Sequence, residues 1–468
     1  MKRSNKQVFE NLTITAAAAG GKAIARSTEG RVIFVTQAVP GDVVDIEVYK
    51  KKKAYFEGKV IKYHSYSDKR TEPVCEHFGI CGGCKWQHMQ YSEQIAFKEQ
   101  EVVDNLLRIG HLELPEISPI KGCKETYLYR NKMEYSFSDS RWLSINEIAS
   151  GKEIENKFAC GFHIPGMWDK ILDIKECHLQ AAPSNAIRNS IKDFAVENGL
   201  SFFNPRRQDG LLRTLLIRMS SLGEIMVVVQ FFQEDKIKRN LLLNFVKDRF
   251  PEITSLQYII NGKGNDTIYD QEVILFAGRD HIMEEMEGLR FKINAKSFYQ
   301  TNSAQAYELY KIARDFANLT GKETVYDLYT GTGTIAQFIA GMAKKVVGIE
   351  SVPEAIADAK ENAVRNNIDN VSFFVGDMAR IFTPDFIAQN GKPEVIITDP
   401  PRDGMHKNVV EQILQVLPER IVYVSCNSAT QARDLALMKD KYVIAATQAV
   451  DMFPQTHHVE NVVLLKRK

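Results

Sequence analysis

The chain has 468 residues, of which 44% are hydrophobic and 25% charged, and its formal net charge is +1. That length exceeds one ordinary domain, and that composition excludes a disordered, collagen-like or disulfide-scaffold protein. The charge balance alone does not announce a nucleic-acid partner, and apolar runs such as Ile225 to Val229 fall far short of the ~20 residues that span a bilayer.

The first residues, Met-Lys-Arg-Ser-Asn-Lys-Gln, have no apolar segment behind them. No secretory signal is read there, and a cytoplasmic protein away from membranes is expected. Residues 1–63 hold 12 Lys/Arg, including Lys2, Arg3, Lys6 and Lys50 to Lys53, against 6 Asp/Glu. Such an excess suits a phosphate-facing surface and equally suits an ordinary solvated one. Short β-type runs, Val8 to Ile14, Arg31 to Val35, Val43 to Tyr49 and Phe56 to Tyr63, are separated by Ala-Gly-Gly and Pro40-Gly41-Asp42. This spacing predicts a small antiparallel barrel over 1–63, an architecture that often carries oligonucleotides.

Seven cysteines follow an uneven pattern. Cys75-x5-Cys81-Gly-Gly-Cys84 crowds three into ten residues, and Cys123, Cys160 and Cys177 are candidates for a fourth partner. An odd count in a chain expected in the cytoplasm points to metal ligation or catalysis rather than disulfides. Four thiolates suit zinc or an iron–sulfur cluster, and spacing does not choose between them. Residues 91–109 carry Ile95, Val102, Val103, Leu106 and Leu107 at helical spacing, with Gly110 as the stop. Residues 120–290 read as a mixed, mostly β region in which Leu212 to Met219 and Glu224 to Phe232 flank a hairpin turn. Trp86 and Tyr91 near Lys85, and Tyr127 and Tyr129 near Arg130 and Lys132, are candidates for stacking on unpaired bases or for ordinary core packing.

From Ser303 a helix, then β-type and helical stretches alternate: Thr324 to Tyr329, Val346 to Glu350, a helix from Pro353 to Asn367, Val371 to Val375, Val395 to Thr398 and Ile421 to Ser425. This rhythm predicts a doubly wound parallel sheet, and its ligand belongs outside the carboxyl ends of the strands. Tyr329, Glu350, Asp377, Asp399 and Cys426 all fall there. Asp327-Leu-Tyr-Thr-Gly331-Thr-Gly333-Thr334 follows a strand and opens a helix, and Glu350 stands 23 residues beyond Asp327. A Gly loop at a helix N-terminus with an acid on the next strand suits a nucleoside with its ribose hydroxyls. The missing third Gly disfavours a dinucleotide, and no P-loop pattern is present. Asp399-Pro400-Pro401-Arg402 ends one strand and Val424-Ser425-Cys426-Asn427 the next. On these residues alone Cys426 is either a reactive thiol or a core residue, and Glu460, before the apolar Val462 to Leu465, is either functional or solvent-facing.

Five ordered motifs give the chain a resemblance: Phe298-Tyr-Gln300-Thr-Asn302, Asp327-Leu-Tyr329-Thr-Gly-Thr-Gly, Asp399-Pro-Pro-Arg402, Ser425-Cys426-Asn427 with Ala429-Thr430, and His458-Val-Glu460. Together they resemble the RNA uracil-5-methyltransferase family, and residues 6–62 resemble the TRAM domain of its rRNA-directed branch. The resemblance implies three parts: a TRAM-like barrel over 1–63, a central domain with a cysteine cluster over 64–295, and a class I methyltransferase domain over 296–468. It implies Cys426 as nucleophile, Glu460 as base, and Gln300, Tyr329, Glu350, Asp399 and Asp377 around S-adenosylmethionine, with Arg402 seating the uracil or a phosphate. It also implies a 4Fe–4S cluster on Cys75, Cys81, Cys84 and Cys177, and RNA as substrate, 23S rRNA in particular; nothing in the sequence demands more than a monomer. Thr330 stands where the family usually has Cys and Ser428 where it often has Pro; neither removes a group the chemistry needs. Two rivals remain: an amino-group methyltransferase, weakened by Arg402 in place of an aromatic residue after Asp-Pro-Pro, and a non-catalytic RNA-binding factor that keeps the fold.

Overall fold

The computed structural model describes residues 7–152 and 156–468, so Lys2, Arg3 and Lys6 of the basic segment lie outside the described residues. β1 (Val8–Thr13), β2 (Ala16–Ala18), β3 (Lys22–Arg26), β4 (Val32–Thr36), β5 (Val43–Lys51) and β6 (Tyr55–Ser65) form a six-stranded sheet in the order β1-β5-β6-β4-β3-β2. Alternate residues of a strand share a face, and here Ala23, Ala25, Ile33, Val35, Val44 and Ile46 close into one core. The β2–β3 pairing runs on to Thr15, whose amide reaches the Ile24 carbonyl at 2.8 Å. Two features depart from the expected antiparallel barrel. β4 and β6 run parallel, and β2 and β3 lie in an Ala/Gly-rich stretch whose weak β propensity conceals strands. Part of the basic excess is neutralised internally: Lys22 and Lys50 both pair with Glu57, at 2.9 and 2.7 Å.

The helix Tyr91–Arg108 and β7 (Ser118–Lys121) come next. Both lie within the stretch expected to form the central domain, yet both pack on the C-terminal sheet. Val102 and Leu106 share a core with Tyr326, Ile396 and Tyr423, and Ser118 pairs with Gln448.

The middle sheet comprises β8 (Lys132–Ser138), β9 (Ala159–Ile164), β10 (Met167–Asp173), β11 (Leu212–Met219), β12 (Ile225–Phe231), β13 (Ile253–Ile260) and β14 (Ile274–Gly278), in the order β10-β9-β8-β11-β12-β13-β14. The predicted hairpin is β11–β12. The helices Ser184–Glu197 and Lys236–Arg249 cover this sheet through Ile187, Ile191, Leu242 and Leu243. A small hairpin, β15 (Ile282–Met286) with β16 (Leu289–Ile293), leads into the last part.

There, β17 (Thr324–Leu328), β18 (Lys345–Glu350), β19 (Val371–Val375), β20 (Val395–Thr398), β21 (Arg420–Ser425), β22 (Tyr442–Val450) and β23 (Glu460–Arg467) form a sheet ordered β19-β18-β17-β20-β21-β23-β22-β7. The first five strands are parallel, with apolar cores on both faces, as the alternation of strands and helices predicts. The parallel pattern then breaks: β23 inserts antiparallel between β21 and β22. No helix joins β22 to β23, and without such a crossover the two strands pair antiparallel.

Candidate active site

Strand register assembles the site. Leu328 pairs with Ile349 on one side and Thr398 on the other, Thr398 pairs with Tyr423, and Glu350 pairs with Val375. The residues that follow these pairs, Tyr329, Glu350, Asp377, Asp399 and Cys426, therefore share the carboxyl edge of the parallel strands. The antiparallel β23 then supplies Glu460: Ser425 opposes Asn461, and the next step along the register brings Glu460 toward Cys426.

The Gly loop is held by Asp327, which is 1% exposed. Its carboxylate accepts from the Ala336 amide at 3.1 Å and from the Thr330 hydroxyl. That second bond accounts for Thr330, since a hydroxyl fastens the loop onto Asp327. The other carboxylate oxygen, Oδ1, is buried without a partner among the described residues. Gly333 stands at φ 74, and a Cβ there would lie 2.7 Å from the Phe373 ring, so the loop requires glycine at this point. Space beside Gly331 is open, and the Gly331 amide donates to Glu350 Oε2 at 3.2 Å. Glu350 thus faces the loop from the next strand. Asp377 caps the short helix Met378–Ile381 by accepting from the Ala379 amide at 3.0 Å. The Gln300 side chain lies near the Tyr310 hydroxyl, and the Gln300 main-chain carbonyl accepts from Asn131 Nδ2 at 2.9 Å.

Two buried carboxyl groups, Asp327 and Glu460, and the half-buried Asp399 lie close together. Burial raises Asp327 to about 7, and burial with the Asp327 charge raises Asp399 to about 7. Glu460, 5% exposed, rises to about 8 through burial and the Asp399 charge, while Arg402 opposes the rise. Cys426 is half-buried. Burial, then the Glu460 and Asp399 carboxylates, push its thiol up to about 11, and Arg402 pulls it back. Acidic groups held neutral by burial form a site prepared for a cation, whose arrival favours their ionised forms. Arg402 is fixed by its own loop: its carbonyl accepts from Asn427 Nδ2 at 3.0 Å and Thr430 Oγ1 at 3.1 Å. Its guanidinium lies 3.4 Å from His458 Nδ1.

A cavity of about 820 Å³ opens beside Arg402, and neither Cys426 nor Glu460 is among its lining residues. Arg402, His458, Phe453 and Thr301 line one part, Arg130 and Lys132 another, and Cys75, Cys81, Cys84 and Cys177 a third. The cysteine loop therefore adjoins the active-site rim, a proximity that no motif spacing revealed. Cys123 and Cys160 are elsewhere: Cys123 donates to the Glu125 carbonyl at 3.0 Å beside Asn302, and Cys160 is fully buried in the middle core. Among the described residues, no group of three or more His, Cys, Asp or Glu side chains is arranged to hold a single metal ion. Of the aromatic candidates, Trp86 is 2% exposed and packs with Val39 and Met89. Tyr129 and Tyr91 direct their hydroxyls at the Pro454 carbonyl and the Asp451 carboxylate. Trp86 is thus a core residue, while Tyr91 and Tyr129 are anchored through their hydroxyls and remain partly exposed.

Sequence reasoning missed Tyr310 and the unpaired, buried oxygen of Asp327. Tyr310 reads only as one apolar position on the helix Ser303–Ala317, and no pattern marks which oxygen of a loop aspartate stays unpaired.

A class I methyltransferase sheet with a Gly loop, an acid on the next strand and a thiol opposite a buried Glu defines the kind of protein, and the comparisons agree. The family model for tRNA (uracil-5-)-methyltransferases matches residues 247–468. An RNA methyltransferase of Bacteroides thetaiotaomicron is 58% identical over 452 residues, covering 96% of this chain and 99% of its own. One from Chlorobaculum tepidum is 39% identical, covering 99% and 98%. The crystal structure of the Pyrococcus abyssi tRNA (uracil-54, C5)-methyltransferase with S-adenosyl-L-homocysteine superposes with a TM-score of 0.75 at 26% identity, over 97% of this chain and 100% of that one. The chain belongs to the RNA uracil-5-methyltransferase family, and it is an S-adenosylmethionine-dependent RNA methyltransferase. Among the described residues no helix is long and apolar enough to cross a membrane.

Proposed function

We propose that the enzyme methylates carbon 5 of a uridine in 23S rRNA through a covalent adduct on Cys426. Carbon 5 of uracil is too weak a nucleophile to take a methyl group unaided. The Cys426 thiolate adds to carbon 6, and the ring electrons move onto carbon 5 and O4. Carbon 5 then takes the methyl group, and S-adenosylhomocysteine leaves. Glu460 removes the remaining proton from carbon 5, the ring double bond re-forms, and the Cys426 thiolate departs. The observation that carries this reading is the register that sets Glu460 toward Cys426, with both groups electrostatically coupled. Gln300, Tyr329, Glu350, Asp399 and, through its remaining oxygen, Asp377 surround S-adenosylmethionine. The unpaired Asp327 Oδ1 suits its ammonium group. Cys426→Ala is expected to abolish turnover while the affinity for S-adenosylmethionine persists; an active variant would instead support amino-group methylation.

For the cysteines we propose a 4Fe–4S cluster on Cys75, Cys81, Cys84 and Cys177. All four line one cavity. The Gly83 amide donates to Cys81 Sγ at 3.4 Å, and a donor of this kind suits a thiolate and tunes an iron–sulfur centre. Four thiolates on one zinc, with bonds of about 2.3 Å, would draw the sulfurs together, whereas a cluster places each on its own iron. The cluster's contribution is to hold the loop 75–86 at the cavity. Iron and acid-labile sulfide in anaerobically purified protein test this; stoichiometric zinc without iron would contradict it.

A second target is favoured by one observation: the whole-chain likeness to an enzyme described as acting on tRNA position 54. Mapping 5-methyluridine in rRNA and tRNA from a deletion strain separates the two. Loss from 23S rRNA supports the proposal, loss from tRNA alone supports the second reading, and loss from neither would favour a non-catalytic role.

A further inference from the structure

Residues 451 to 459 form a strap between β22 and β23 that ends at Glu460. No regular secondary structure holds it, and its main chain is held from outside. Four successive carbonyls accept from four different parts of the chain. Asn302 Nδ2 donates to Met452 at 3.0 Å, and Lys98 Nζ to Phe453 at 3.2 Å. The Tyr129 hydroxyl donates to Pro454 at 2.9 Å, and the amides of Lys85 and Trp86 donate to Gln455 at 2.8 and 3.0 Å. Gln455 adopts φ 68, a left-handed conformation that a non-glycine residue keeps only when its surroundings impose it. Gln94 supplies part of that constraint, exchanging bonds with Gln455 at 3.0 Å in both directions.

At the start of the strap lies a buried ion pair. Lys98 and Asp451 are both 0% exposed, with Nζ 2.6 Å from Oδ1. The Tyr91 hydroxyl donates to the other carboxylate oxygen at 2.8 Å, and the Phe453 amide returns to Oδ1 at 3.1 Å. Stability alone does not explain such a pair, because desolvation of two charges offsets most of their attraction and apolar residues of similar volume would serve as well. What apolar residues cannot do is direct the main chain. Lys98 binds a side chain and a carbonyl two residues apart at once, and so fixes the turn with which the strap sets out.

We propose that Lys98, through Asp451 and the Phe453 carbonyl, is a positioning residue for Glu460: the helix Tyr91–Arg108 aims the base at the adduct by holding the strap that carries it. The inference rests on the reading of Glu460 as the base. Lys98 does not touch the reacting atoms; its effect is transmitted by the strap, whose Phe453 and His458 also line the cavity beside Arg402.

Lys98→Met keeps the length of the side chain and removes its donors. Because that variant leaves Asp451 buried and unpaired, the decisive protein is Lys98→Met/Asp451→Asn, in which neither charge remains. It is expected to fold with a Tm close to wild type and to bind S-adenosylmethionine normally. Its KM for RNA should hold while kcat falls about 10- to 100-fold, the scale of a small misplacement of a catalytic group. With ordinary uridine RNA, a methylated protein–RNA adduct should accumulate, because elimination is the step that Glu460 serves. Turnover within about two-fold of wild type and no adduct would overturn the role of Lys98, as would a parallel loss of RNA and cofactor binding without adduct. Wild-type protein incubated with 5-fluorouridine RNA is the control. If it too forms no adduct, the Cys426 mechanism fails and takes this inference with it; if it does, only the role of Lys98 is at stake.

Discussion

Glu460→Gln keeps the volume of the side chain and removes both its charge and its basicity. Two steps respond in opposite directions. The Glu460 carboxylate is one of the groups that push Cys426 up to about 11, so its loss makes the thiolate easier to form and favours attack on carbon 6. Removal of the carbon 5 proton loses its base, and a positioned general base contributes typically about 10²–10⁴-fold, or roughly 2.7–5.4 kcal/mol. The expected result is slow turnover with a methylated, denaturation-resistant protein–RNA adduct on ordinary uridine RNA, read on a denaturing gel with methyl-labelled cofactor. The pH profile gives an independent check. Glu460 acts in its ionised form and burial raises its carboxyl to about 8 in the ligand-free protein, so the rate at which the wild type breaks down the methylated adduct should climb with pH as this carboxyl ionises and then level. The variant should lack that limb. Turnover by Glu460→Gln within about three-fold of wild type, or an unchanged pH limb, would refute the assignment.

Gly333→Ala forces a Cβ to 2.7 Å from the Phe373 ring at φ 74. Left-handed strain of about 1–2 kcal/mol and overpacking of about 1–3 kcal/mol should lower stability by a few kcal/mol in urea and abolish cofactor binding by calorimetry; an unchanged Kd would contradict the Gly-loop assignment. Asp327 and Asp399 are raised to about 7 and Glu460 to about 8. Groups whose pKa is raised on folding contribute their stability fully below the unfolded carboxyl range, near pH 4, and lose it as pH climbs through 7 and 8. The ligand-free protein should therefore lose Tm over that window, and S-adenosylmethionine, a cation, should bind with proton release; Asp399→Asn/Glu460→Gln should flatten the decline. A decline equally steep in that variant would show that these carboxyls do not set it.

The sequence exposed most of the parallel sheet because periodicity and local turn chemistry specify it. Val371 to Val375 and Val395 to Thr398 were predicted as strands and are β19 and β20. The predicted helix 91–109 is Tyr91–Arg108. The rule that ligands gather at the carboxyl edge singles out Glu350, Asp399 and Cys426 from the sequence, and the strand register places all three on that edge. What escaped depends on distant parts of the chain. Nothing local in Glu460-Asn-Val-Val says that this strand inserts antiparallel beside β21, yet that insertion turns an ambiguous Glu into a partner of Cys426. The cysteine loop reaches the rim through the Lys85 and Trp86 amides on Gln455, and Lys98 meets Asp451 across 353 residues of sequence. Lys98 sits on a helix face that reads simply as amphipathic, where a lysine is ordinarily solvated, and only the fold shows it fully enclosed.

The most direct measurement is peptide mass mapping of the adduct formed between the wild-type enzyme, S-adenosylmethionine and its RNA substrate carrying 5-fluorouridine at the target position. Fluorine cannot leave as a proton, so elimination stops. The account predicts one cross-linked peptide, containing Cys426 and carrying a methylated fluorouridine nucleotide. A nucleotide found on another residue, or complete absence of a cross-link with RNA that the enzyme methylates in its uridine form, would contradict it.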